Sequence, residues 1–144
     1  MNNLSAVVGV GLMVMTAAFA APPTKNEIVA AKATFSGTLK PVTAEARKLS
    51  NGTDWACTAT VKGDGVVQVQ WYGREVTYKG AMGPAGGKAG NPLAMNAEGD
   101  DKSQVRFQWN SANELQVEWW PDMAAKAGQT QHKPAHVKGT IRKK

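Results

Sequence analysis

Apolar and polar residues alternate along most of the chain after residue 34. Trp55, Cys57, Ala59 and Val61 alternate with Ala56, Thr58, Thr60 and Lys62, and Val67, Val69 and Trp71 with Gln68, Gln70 and Tyr72. Further on, Val105, Phe107 and Trp109 alternate with Arg106 and Gln108, and Leu115, Val117 and Trp119 with Gln116 and Glu118. A period of two with one apolar face predicts half-buried antiparallel strands. Shorter runs of the same kind occur at Phe35/Gly37/Leu39, Val76/Tyr78, Leu93/Met95/Ala97 and Val137/Gly139/Ile141. Together they predict eight strands, at 34–40, 54–62, 66–72, 74–79, 93–99, 103–109, 114–120 and 136–142.

The breaks between the runs carry turn chemistry. Lys62-Gly63-Asp64-Gly65, Tyr72-Gly73-Arg74, Gly99-Asp100-Asp101-Lys102 and Asn110-Ser111-Ala112-Asn113 are of hairpin length. Three connections are longer: 41–53, the Gly/Ala-rich 80–92, and 121–135. Residues 24–33 and 121–128 each have room for a short helix. Consecutive hairpins in an all-β antiparallel meander leave two open strand edges, and closure into an up-and-down barrel removes both. The fold expectation is therefore a closed eight-stranded β-barrel over 34–144, with a two-sheet β-sandwich as the alternative.

In such a meander the connections alternate between two ends. The end carrying 41–53 also carries the breaks at 73, 100–102 and 121–135, and is called the upper end here. Trp55 opens a strand at that end, and Trp71 and Trp119 close strands there, all on the apolar face, whereas Trp109 falls at the lower end. Barrel mouths hold small ligands in some eight-stranded barrels, with aromatic walls and a few polar groups. Trp55, Trp71, Trp119 and Arg74 are the candidate ligand-binding residues, with Glu75 and Asp54 on the same rim. The competing reading is that the three rings plug the barrel.

Composition adds a location and a charge asymmetry. Residues 1–20 hold no charged side chain and end in Ala18-Phe19-Ala20, a small-x-small cleavage signature, so they read as an export signal. Residues 21–33 form an N-terminal segment, and 34–144 a single antiparallel β domain. The expected location is exported, periplasmic or secreted, with no membrane span after cleavage. Of the net charge of +6, residues 122–144 carry +5 and residues 21–121 only +1. A basic C-terminal surface at Lys138, Arg142, Lys143 and Lys144 is the candidate site for an anionic polymer or protein.

Catalytic chemistry is scarce. There is no Gly-x-Ser-x-Gly elbow, phosphate loop or His-Glu-x-x-His motif. His132 and His136 would lie about 13 Å apart on a strand, too far to share a metal ion. Asp100-Asp101 reads as a solvated turn pair, and no cofactor is implied. The single Cys57 falls on the apolar face and reads as a buried small core residue. Four of the five tryptophans point inward and only Trp120 outward, which disfavours a nucleic-acid stacking platform. Asn51-Gly52-Thr53 fits a glycosylation sequon in a surface loop. The expectation is a non-enzymatic barrel that binds a small apolar or ring-bearing ligand at its aromatic mouth. The alternative is an envelope or extracellular interaction module.

Overall fold

Eight antiparallel strands pair in chain order and the last pairs with the first, closing one barrel. The computed structural model describes residues 21–71, 73–121 and 136–144. The strands are β1 (Thr34–Pro41), β2 (Trp55–Gly63), β3 (Val66–Trp71), β4 (Arg74–Pro84), β5 (Leu93–Gly99), β6 (Gln104–Ser111), β7 (Glu114–Trp120) and β8 (Val137–Lys143). The sheet is single and closed, so the barrel holds and the sandwich alternative does not. The expected helix at 121–128 falls almost wholly outside the described residues.

Alternation becomes a filled interior. β2 reads buried at Trp55, Cys57, Ala59 and Val61, and β7 at Leu115, Val117 and Trp119. Phe35, Leu39, Tyr78, Met95, Phe107, Trp109, Leu115 and Ile141 are among the largest fully buried side chains. Barrels of this strand number are just wide enough for their own side chains to fill. Closure depends on two inward glycines at the seam. A Cβ on Gly37 would meet Ile141 Cγ2 at 2.9 Å, and one on Gly139 would meet the Thr38 carbonyl at 2.9 Å and Leu39 at 3.0 Å. Each strand thus places a large residue into the space its neighbour's glycine leaves open.

Two connections differ from expectation. The 80–92 segment is not all loop: β4 runs on to Pro84 and pairs with β5 from Gly80↔Ala97 to Pro84↔Leu93. The inward alternation Val76, Tyr78, Gly80, Met82 continues, but glycine at 80 hides it in the sequence. That glycine is required, because a Cβ there would lie 2.1 Å from the Asn96 carbonyl oxygen. Only Ala85–Gly87, a 3-10 turn, and a few further residues cross to β5. Within 41–53, a helix not expected from the alternation spans Ala44–Leu49.

The two helices close opposite ends. α1 (Lys25–Ala31) starts at Thr24, whose hydroxyl accepts from the Glu27 N–H, and ends at Lys32 in left-handed geometry. Seven residues do not hold a helix alone. Burial of Ile28 in the core anchors α1 below the barrel, contributing roughly 2 kcal/mol. α2 (Ala44–Leu49) lies at the upper end, capped by Thr43 through the Ala46 N–H, with Ala46 fully buried.

Candidate functional site

The upper end gathers the predicted aromatic residues. Trp55 opens β2, Trp71 ends β3 and Trp119 sits one residue before the end of β7. Their ring centroids lie 5.0 Å apart for Trp55–Trp119, 5.8 Å for Trp55–Trp71 and 6.3 Å for Trp71–Trp119. Trp71 meets Trp55, Trp119 and Tyr78 edge to face, the geometry aromatic quadrupoles favour. The rings are only 3%, 5% and 8% exposed for Trp55, Trp71 and Trp119. They therefore pack on one another, and the chain of rings continues downward through Tyr78, Phe107 and Trp109.

A polar chain runs from this cluster out to the rim. The Tyr78 hydroxyl lies 2.7 Å from the Ser103 hydroxyl. Ser103 donates its proton to Asp101 Oδ1 at 2.6 Å, so Tyr78 is the donor to Ser103. The Ser103 N–H donates to the same oxygen at 2.9 Å, and Arg74 pairs with Asp101 Oδ2 at 3.2 Å. Asp101 is thus no merely solvated turn residue: its carboxylate closes the β5–β6 turn and holds Arg74. Burial pushes the Tyr78 hydroxyl well above its usual range, so it stays protonated.

Below the β3–β4 turn a cleft of about 380 Å³ opens on the outer wall. Ala56, Thr58, Gln70, Trp71, Gly73, Arg74 and Glu75 line it. The small Ala56 and Thr58 on β2 leave room that Gln70 and Glu75 border from β3 and β4. Glu75 is fixed by amides on both oxygens: Gln68 Nε2 donates to Oε1, and Gln70 Nε2 to Oε2 at 3.3 Å. Gly73 turns the chain at φ 67°, which lets Trp71 and Arg74 stand as direct cross-strand partners. Arg74 remains largely exposed despite its ion pair, with a side chain 65% accessible.

Of the expected ligand residues, then, Trp55, Trp71 and Trp119 meet inside the mouth, while Arg74 lies at the rim. Trp71 and Arg74 are the two that also line the cleft. Sequence reasoning missed Tyr78, Ser103 and Asp101. The signal was present: an inward tyrosine needs a partner for its hydroxyl, and Asp-x-Ser is a local capping pattern.

The basic residues of β8 do not form one patch. Lys138 is near the upper end, where it pairs across with Lys40 and Glu118. Arg142 is bound to Glu114 at 2.9 Å. Lys143 pairs with Phe35 at the lower end, and the Lys144 N–H donates to the Thr34 carbonyl there. Six residues of strand separate Lys138 from Lys144, about 20 Å.

Cys57 is buried and free, and burial pushes its thiol up to about 12. Among the described residues no three His, Cys, Asp or Glu side chains are grouped to hold a metal ion. None of the described helices is long and apolar enough to cross a membrane. Compared with known proteins, the chain matches no family model, no curated protein and no solved structure.

Proposed function

We propose that this chain is an exported, non-enzymatic barrel that binds a small ring-bearing ligand at its upper rim. The ligand sits in the outer cleft beside Trp71 and Arg74, with the Trp55–Trp71–Trp119 cluster as the rigid wall behind it. One observation carries the reading: a cleft of about 380 Å³ bordered by Trp71, a cation, a carboxylate and an amide. That volume falls in the range of small-molecule sites. Placement at the rim follows from the packed interior, where the rings already touch one another.

The polar groups define a ligand class. Arg74 offers donors to an anionic or hydroxyl oxygen. Glu75, its carboxylate already steered by Gln68 and Gln70, has lone pairs left for a hydroxyl or amine. Trp71 and Ala56 supply apolar contact. A sugar or an aromatic metabolite with hydroxyl groups fits this lining better than a fatty acyl chain does. The export assignment rests on the sequence of residues 1–20.

A panel of monosaccharides, disaccharides, aromatic metabolites and fatty acids, screened by intrinsic fluorescence, tests the proposal. At least one hydroxylated ring compound should give a saturable change, and Arg74→Ala should weaken it by roughly tenfold. A panel without any saturable response, or one answered only by the fatty acids, would overturn it.

A further inference from the structure

On the strands next to those of the cleft, Lys40 and Lys138 are direct cross-strand partners at the seam between β1 and β8. Both are exposed. Like charges placed opposite one another destabilise a sheet, yet neither lysine belongs to an ion pair among the described residues. The same row continues through Glu118 on β7 to Arg106 on β6. Three cations and one acid therefore share four adjacent strands, a span of about 14 Å. Arg106 donates to Gln108 at 3.3 Å and, among the described residues, pairs with no carboxylate. Farther down the wall, Arg142 is neutralised by Glu114, whereas the Lys40 row keeps its excess charge at the upper end.

The neighbouring row is neutral and rich in hydrogen-bonding groups. Gln108 pairs with Gln116, and Gln116 with Thr140. We propose that this face of β6, β7, β8 and β1 docks an anionic polysaccharide, sulfated or uronic. Lys40, Lys138 and Arg106 bind its charged groups, while Gln108, Gln116 and Thr140 meet its hydroxyls. An anion shared by Lys40 and Lys138 removes the repulsion that the bare pair suffers. A single-stranded nucleic acid would need several outward rings on which to stack, and Trp120 is the one tryptophan of outward parity. The surface is centred on β6–β8, and only its Lys40 edge on β1 adjoins β2, whose Ala56 and Thr58 line the rim cleft.

Dextran sulfate and polygalacturonate serve as probes, with uncharged dextran and poly(dT) as controls. The proposal expects both acidic polymers to bind, with affinity falling at least roughly tenfold between about 50 and about 200 mM salt. The triple variant Lys40→Gln/Lys138→Gln/Arg106→Gln should lose at least about tenfold in affinity at the lower salt. Lys40→Glu, which replaces repulsion with attraction at the seam, should keep or raise Tm and also weaken binding. Failure of both acidic polymers to bind, unchanged affinity in the two variants, or tighter binding of poly(dT) would overturn the proposal. Ligand titrations at the rim cleft should be unaffected by Lys138→Gln and Arg106→Gln, whose strands do not pair with β2, and this separates the two sites.

Discussion

The hydroxyls of Tyr78 and Ser103 lie 2.7 Å apart inside the barrel. They lead to Asp101, and through it to Arg74 at the rim. A buried polar chain of this kind is stabilising only while every member keeps its partner.

Breaking the chain at Tyr78 should therefore be costly. Tyr78→Phe removes the buried hydrogen bond to the Ser103 hydroxyl and should lose about 1–3 kcal/mol in urea unfolding. Ser103→Ala should cost a similar amount, since it strands the Tyr78 hydroxyl. The double variant should fall well short of the sum, as members of one network couple. Simple additivity would show that the two hydroxyls act independently.

Cys57 gives a prediction with a pH sign. Its thiol is raised from 9.0 to about 12 by burial, so the folded state holds the proton more tightly than the unfolded state. Stability is therefore full below pH 9.0 and declines as pH rises towards about 12, by up to about 1.4 kcal/mol per unit. Tyr78, raised in the same direction, adds to the decline above 10.0. Cys57→Ala should flatten the loss between 9.0 and 10.0, the interval before Tyr78 contributes. At neutral pH, Cys57→Ser should fold but lose roughly 1–3 kcal/mol, because a hydroxyl enters an apolar site. The native thiol should react with a labelling reagent only on unfolding.

Closure of the seam can be probed at Gly139. The carbonyl of Thr38 stands 2.9 Å from where a Cβ would sit, and backbone yields less readily than a side chain. Gly139→Ala should cost about 1–3 kcal/mol by overpacking. Gly73→Ala, where nothing lies within 4 Å, instead tests the positive φ alone; it should cost about 1 kcal/mol. Equal losses in urea midpoint would contradict the packing account of the seam.

Arg74 should be nearly silent in stability. Its pair with Asp101 is largely solvated on the arginine side, and such pairs contribute about 0–1 kcal/mol. Arg74→Ala should thus shift the urea midpoint little while weakening ligand at the rim. A loss of several kcal/mol would make Arg74 a structural residue instead.

The barrel was legible because each strand repeats one signal, and the match extends to Trp55, Trp71 and Trp119 meeting at one end. What failed has a physical cause in each case. Gly80 broke the apparent alternation of β4 because its inward position must admit the Asn96 carbonyl. α2 was hidden because six residues with one buried side chain, Ala46, give almost no helical periodicity. Its cap was readable, with Thr43 before it and Asn51 and Gly52 at φ 53° and 77° after it. The cleft was not legible at all, since it arises from small residues on β2 beside Gln70 on the next strand and Glu75 two strands away. Nor could summed charge along 122–144 reveal that Arg142 is neutralised while Lys40, far off in sequence, adjoins Lys138.

The most direct test of the account is amide chemical-shift mapping by NMR as a hydroxylated ring compound from the ligand panel is titrated in. Binding at the proposed site should shift Trp71, Gly73, Arg74 and Glu75 together with Ala56 and Thr58, and leave the β6–β8 wall unmoved. Shifts concentrated on β6–β8, or confined to the lower end around α1, would contradict the central claim that the rim cleft is the ligand site.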